Sequence, residues 1–441
     1  MRTDAEGSTE LGALVALQRG TTYKSSLLGY PGPVLLGLAS IQRNGGFRGD
    51  SLRTYGGESP SKLILTPGDL YVSLKDVTQS ADLLGAVSRV PGGVSAGRLT
   101  QDTVKLVFKN RKVTADYLYW ALRTPQYRSY CRARAIGTTN LSLSRDDFLT
   151  FAVPHPTPDR LTLVGLLEDI EAKIQSNHGT NETLDCIARA IFKSWFVDFD
   201  PVRTKAEGRR PAGMDAETAE LFPAAFDSGE GGRLPRGWRW EPIGEAIEVV
   251  GGSTPSTDNP EFWDQGDTAF ATPKDLAGLS VPLLLRTGRK ITPAGVEQIS
   301  SGVLPPGTVL LSSRAPIGYL AIATISVCIN QGFIAMLPTD TLPAPYVLLW
   351  AEDNMATIVG RANGTTFLEI SKANFRPIPI LIPNAPVLKR FNGIVQPIYA
   401  RIAATAIETE TLAAIRDALL PKLLSGQLRI RDAEKLVEAH T

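Results

Sequence analysis

Two related helical segments constrain this chain more than any other feature. ETLDCIARAIFKSWF runs from Glu182 to Phe196, and ETLAAIRDALLPKLL begins 228 residues later at Glu410. Around the first, Leu163, Leu167, Ile170, Ile174, Asn177, Asn181, Leu184, Ala188, Ile191 and Trp195 are spaced alternately by four and three residues. This is the seam of a coiled coil with a polar middle. The same offset gives Phe391, Val395, Ile398, Ile402, Thr405, Thr409, Leu412, Arg416, Leu419 and Leu423, polar at the same place. Polar residues in such a seam lower stability and fix register, so the two helices are expected to pack on each other in one alignment. From Leu161 to Phe196 the first makes a rod of roughly 54 Å. Pro397 is expected to kink or shorten the first turns of the second.

With 441 residues the chain exceeds a single compact core, so two globular domains are expected, each followed by one of these helices. The globular parts repeat as well. Thr66, Pro67, Gly68 and Asp69, then an apolar strand and Lys75, correspond 239 residues on to Pro305, Pro306, Gly307 and Thr308, a strand and Arg314. GTTNLSLSRDDFLTFAVP from Gly137 parallels GTTFLEISKANFRPIPILIP from Gly364, at an offset of 227. Short apolar runs punctuated by Gly and Pro, such as LTPGDLYVSL and DTVKLVF, read as strands, with one helix at TADYLYWALRT. The three prolines of VPHPTPDR end the first domain. The organisation read here is domain 1–157, helix 158–200, linker 201–236, domain 237–385, helix 386–430 and tail 431–441. The linker region, rich in Pro, Gly and charge, holds a short helical pattern at GMDAETAELFP and is expected to run over the outside. Within the first domain, GGFRGDSLRTYGGESP finds no partner around the second domain's ATPKDL.

The fold class expected is α+β: two α/β domains separated by two long antiparallel coiled-coil helices, in a pseudo-twofold repeat. A formal charge of +1, from 46 basic and 45 acidic residues, announces no bulk field for nucleic acid but leaves room for local basic faces. Cys131, Cys186 and Cys328 form no CxxC and read as buried thiols of a reducing compartment. No apolar run approaches a membrane span, and Asp4, Glu6 and Glu10 precede LGALVAL where a secretory signal carries positive charge, so a cytoplasmic location is expected.

Catalytic motifs are scarce. There is no GxxxxGK[ST] loop and no GxGxxG turn. Gly93 to Gly97 match GxSxG, but Pro91 and Gly92 precede them and RLTQDT follows, not the strand and helix of a nucleophile elbow. His155, His178 and His440 show no metal-ligand spacing. Asn259, Pro260, Glu261 and Phe262 are similar to the [DN]PP[YF] loop of amino-group methyltransferases, with glutamate in place of the second proline. Basic clusters are left: YRSYCRARAIGTTN from Tyr127 to Asn140, then Arg43, Asn44, Arg48 and Arg53, then Arg286, Arg289 and Lys290, and Arg361 before ANGTT. Any one of these reads first as a solvated face. Their recurrence before the same GTT loop in both halves favours contacts to phosphates and base edges.

The sequence resembles the specificity subunits of type I restriction-modification systems over nearly its whole length. IFKSWFVDFDPVRTKAEG from Ile191, continuing through GMDAETAELFP and LPRGWRW, is similar to the family's first conserved region. LAAIRDALLPKLLSGQLRI from Leu412 is similar to its C-terminal conserved region, and GGSTPSTDNPEFW with ATPKDL to a common opening of its target recognition domains. The resemblance implies a non-catalytic subunit whose two recognition domains each read one half of a split, asymmetric site on double-stranded DNA. It implies two methyltransferase subunits carrying S-adenosylmethionine, restriction and translocase subunits using ATP and Mg2+, and no cofactor or metal on this chain. By correspondence of the two domains, Lys75, Gln101 and Asn140 in the first, and Lys274, Arg314, Asn330, Gln331, Asn363 and Thr365 in the second, are expected at DNA. Phe192, Trp195 and Phe196 exceed what a two-helix seam requires and are expected either to dock methyltransferase subunits or to pack on the linker. The alternatives are a self-sufficient DNA methyltransferase, which would bind S-adenosylmethionine alone, and a scaffold subunit that reads no DNA.

Overall fold

The computed structural model describes residues 7–78, 80–229, 232–364 and 368–426. It divides into two compact units, residues 1–174 with 410–441, and residues 175–409. The first long helix runs Pro158–Phe192 and closes in a π-helical turn, Lys193–Val197. The second runs Ala385–Ser425. Each helix therefore contributes a segment to both units. Of the kink or shortening expected at Pro397, the shortening does not occur, because the helix is continuous through it. A proline ring crowds the residue one turn back, here Gly393, where even an added Cβ would meet nothing within 4 Å outside the helix's own backbone.

Within each unit the two helix segments run antiparallel. In the first, Arg160 donates to the carbonyls of Leu423 (3.1 Å) and Leu424 (3.3 Å), and Arg416 to Glu171 (3.1 Å). In the second, Asn177 donates to Thr409 (3.2 Å), while eighteen residues on, Trp195 packs on Phe391, eighteen residues back. The seam residues Leu163, Leu167, Ile170 and Ile174 are buried with Leu419 and Leu423, and in the polar middle Asn177, Asn181 and Thr405 are buried too. Asn177 also reaches Glu408 (3.0 Å), whereas the buried Oδ1 of Asn181 has no partner among the described residues.

The globular part of the first unit centres on an antiparallel sheet of strands Val15–Arg19, Thr103–Phe108, Leu70–Ser73 and Val87–Arg89, in that order. A second sheet pairs Gly97–Leu99 in parallel with Val34–Leu36 and antiparallel with Ile64–Leu65. The second unit repeats this plan. Glu248–Gly251, Phe333–Leu337, Val309–Ser313 and Ile317–Ala323 follow in the same order, and Val327–Ile329 pairs in parallel with Thr268–Ala271 and bridges Leu304. Equivalent tyrosines lock equivalent strands: Tyr117 donates to the Pro154 carbonyl (2.9 Å) and Tyr346 to that of Leu381 (2.8 Å). Those two carbonyls stand at the offset of 227 shared by the GTT loops.

Each domain is seated on its helix segments by charge as well as apolar packing. In the first unit Arg89 holds Glu168 through two hydrogen bonds (2.9 and 2.8 Å), and Trp120 donates to the same carboxylate (2.6 Å). In the second the signs reverse: Arg189 of the helix holds Glu352 of the domain (2.7 Å) and Asp185 (2.7 Å). Burial pushes the Glu352 carboxyl up to about 7, against the pull of Arg189 and with a further push from Asp185.

Of the two alternatives expected for Phe192, Trp195 and Phe196, docking of methyltransferase subunits or packing on the linker, the structure has the packing, made by Trp195. All three are buried and packed on Phe391, Phe192 and Phe196 also on Tyr346, with Trp195 edge-on to Phe222 of the linker (4.9 Å) and Phe196 against Trp238. The linker is thus partly core, because three large rings beside a short helix end need more apolar cover than the partner helix supplies. Cys186 is exposed, where a buried thiol was expected. Among the described residues no helix is long and apolar enough to cross a membrane.

Candidate nucleic-acid interface

A small loop and a basic residue are built in the same way in both domains. Ile136 and Ser142 exchange backbone hydrogen bonds of 2.8 and 2.9 Å, closing a neck around Gly137 to Leu141. Asn363 and Glu369 exchange two of 2.9 Å at the matching place. Both loops open on a glycine at positive φ, Gly137 at 105° and Gly364 at 111°. A Cβ on Gly137 would lie 2.5 Å from the Asn140 carbonyl, so only glycine fits. The basic residue pairs with the far side of the neck: Lys75 lies opposite Ser142, and Arg314 opposite Glu369.

A second turn joins them. In the first domain Gln101 lies in the exposed turn before Thr103–Phe108, and the next residue, Asp102, pairs with Lys75 at 3.2 Å. Lys75, Gln101 and Asn140, all exposed, thus fall on one contiguous run of loops. In the second domain the Asn330 side chain accepts from Gly332 N–H (2.9 Å), which shapes the turn, and the Gly332 carbonyl accepts from Ser313 (2.8 Å), next to Arg314. Gln331 is exposed and accepts from the Thr254 hydroxyl. The exposed Lys274 follows Pro273, whose ring lies 2.9 Å from where a Gly332 Cβ would stand. Arg314 and Glu369 approach to 3.8 Å. The structure therefore brings Lys274, Arg314, Asn330, Gln331 and Asn363 onto one run of loops; Thr365 lies outside the described residues.

Two parts of this surface escaped the sequence reading. In register, Val34–Leu36 matches Ala269–Ala271, so the first domain's counterpart of ATPKDL is the turn Gly37–Ile41, not GGFRGDSL. Tyr71 braces that turn, with its hydroxyl donating to the Ser40 carbonyl (3.1 Å) and 2.8 Å from the Ser40 hydroxyl. Burial pushes Tyr71 up to about 12, against the Ser40 hydrogen bond. The counterpart of the GGST opening is Gly20-Thr21-Thr22. A Cβ on Gly20 or Gly252 would lie 1.9 Å from the Thr100 or Ile329 carbonyl, so both glycines permit the same close crossing. The shared Gly-[Ser/Thr]-Thr was the available signal.

The tyrosine and arginine interleaving of YRSYCRARAIGTTN is partly structural. Tyr127 and Arg128 are buried, with Tyr127 donating to Gly85 O (2.9 Å) and Arg128 to the carbonyls of Leu84, Ala81 and Asp82. They hold the 81–85 loop, and burial lowers the pKa of Arg128. Arg134 stacks on Tyr130 at 3.7 Å, and Arg289 on Trp263 at 3.8 Å. Among the described residues no group of three His, Cys, Asp or Glu could hold a metal ion.

Residues 235–414 match the family model for the type I restriction modification DNA specificity domain. The chain is 27% identical over 315 residues to the type I restriction enzyme HindI specificity subunit of Haemophilus influenzae, covering 62% of this chain and 68% of that one. It is 36% identical over 174 residues to the MjaIX specificity subunit of Methanocaldococcus jannaschii, covering 37% of this chain and 40% of that one. In fold it is similar to the S subunit of a type I restriction-modification system from M. genitalium, with a TM-score of 0.58 at 14% identity over 96% of this chain and 98% of the other.

Proposed function

From its membership of the specificity subunits of type I restriction-modification systems, we propose that the chain reads a split, asymmetric site on duplex DNA, one half with each domain. One observation carries this reading. The same run of loops recurs in both domains, with a basic residue opposite the neck of a GTT loop, yet most side chains on it differ. A shared frame with divergent side chains is what two readers of different sequences require. In this reading Lys75 and Arg314 neutralise phosphate or read guanine, and Gln101, Asn140, Gln331 and Asn363 pair with base edges. In this reading the paired helices set the spacing between half-sites and present surfaces to two methyltransferase subunits. Methyl transfer with S-adenosylmethionine, and ATP- and Mg2+-dependent translocation and cleavage, belong to partner subunits.

Methylation mapping tests it. DNA from a host expressing this chain with its methyltransferase partner is expected to carry a two-part methylated motif that is absent with the partner alone. A complex that forms but methylates no new motif would leave the chain a scaffold that reads no DNA.

A further inference from the structure

The loop after Gly20 sits over a buried positive charge that pairs with no carboxylate among the described residues. Arg98 is 4% exposed and donates to the Thr21 hydroxyl (3.0 Å) and to the carbonyls of Thr22 (3.1 Å), Glu58 (3.2 Å) and Leu99 (3.3 Å). Its guanidinium lies 4.9 Å over the ring of Tyr55. Tyr55 is itself buried and meets Tyr23 edge to face (6.1 Å), and its hydroxyl accepts from Lys24 N–H (3.3 Å). Tyr55 comes from the Gly-rich stretch with no partner in the second domain, which here acts as the loop's support. Neutral acceptors satisfy the hydrogen bonds of a guanidinium but leave its charge, and a buried charge without a counter-ion is stabilised by an anion that approaches from outside. The surface above it, Thr21 to Lys24, is exposed and adds the ammonium of Lys24. In register, the second domain has Cys328 where the first has Arg98, so the device belongs to one domain only.

We propose that the loop Thr21–Lys24 is a duplex-contacting element of the first domain, with Lys24 and Tyr23 at the DNA and Arg98 as the positioning residue beneath them. This rests on the DNA-reading function proposed above. The loop is continuous with the surface already described, since the Thr21 bridge to Thr100 leads directly to Gln101. Lys24, together with the charge of Arg98, draws a phosphate, while the exposed edge of Tyr23 faces the sugar or base alongside.

The test uses the full chain in complex with its methyltransferase partner, selected against a duplex library with a randomised central segment and titrated at graded salt. The exposed pair Tyr23→Ala/Lys24→Ala is expected to weaken binding to the wild-type duplex about tenfold, to lower the salt slope by about one, and to blur one half of the motif only. A lower affinity and slope with an intact motif also supports the proposal, as a phosphate contact. Arg98→Met should lose the same share of the slope and Arg98→Lys retain it; equal slopes for the two variants would reduce Arg98 to a structural residue and overturn its part. Wild-type affinity, slope and motif in the double variant overturn the proposal while leaving the DNA-reading function intact. A wild-type complex that selects no motif overturns both.

Discussion

Lys75 and Arg314 hold the same place in two domains, each opposite the neck of a GTT loop, and each has an acidic neighbour, Asp102 or Glu369. Both pairs lie at the surface, with only Asp102 half-buried, so they add little stability, and truncation should read out in recognition instead. Arg314→Ala is expected to degrade one half of the methylated motif and Lys75→Ala the other, each by roughly 1–3 kcal/mol of discrimination, measured by methylation of single-base-substituted sites. Loss spread over all sequences would make either one a phosphate contact. Glu352 supports a different prediction. Its folded pKa, about 7, lies above the ordinary value of 4.5, so its favourable contribution is present below pH 4.5 and is lost as pH rises through 7. The ceiling is on the order of 3 kcal/mol. Glu352→Gln keeps an acceptor for Arg189 and removes the titration. The variant should gain stability relative to wild type between pH 5 and 8, and parallel unfolding curves across that range would show that the carboxyl titrates normally.

At the scale of the helices, the polar middle of the seam separates two effects. Asn177 is satisfied by Glu408 and Thr409, while the buried Oδ1 of Asn181, one turn on, has no partner among the described residues. An unmet buried acceptor lowers stability and a met one does not, so the two asparagines should respond with opposite sign. Asn181→Leu is expected to raise the unfolding free energy by about 1 kcal/mol, and Asn177→Ala to lower it by about 1–2 kcal/mol, read from denaturant unfolding. Equal losses at both would mean that Asn181 is satisfied in solution. The aromatic end of the first helix belongs to this scale as well. FKSWF carries more rings than a two-stranded seam uses, which in sequence reads equally as a surface for partners or as packing on the linker. The linker and Tyr346 supply the remaining cover.

For the whole molecule, the proposed function makes the helix pair the determinant of half-site separation. Four residues add one turn, about 6 Å of rise, and preserve the seam's phase to within a fraction of a turn. Inserting four residues into both polar middles is therefore expected to lengthen the unspecified gap of the methylated motif by one or two base pairs, leaving both half-sites unchanged. Methylation mapping reads this directly. An unchanged gap would remove the helices from the spacing role.

The sequence alone determined the long-period features: two helices with matched seams, a polar middle at one place in each, and GTT loops before equivalent strands. These are legible because helix periodicity and glycine-dependent turns are local properties that survive divergence of everything around them. Only the tertiary structure decided what depends on pairing between distant segments. It set Lys75 against Ser142, matched Gly37–Ile41 to the ATPKDL turn, put Arg128 inside and left Gln101 outside. An arginine among tyrosines reads alike in sequence whether it faces solvent or three carbonyls. Which of these it meets is settled by the loop that folds over it, and no spacing along its own helix encodes that.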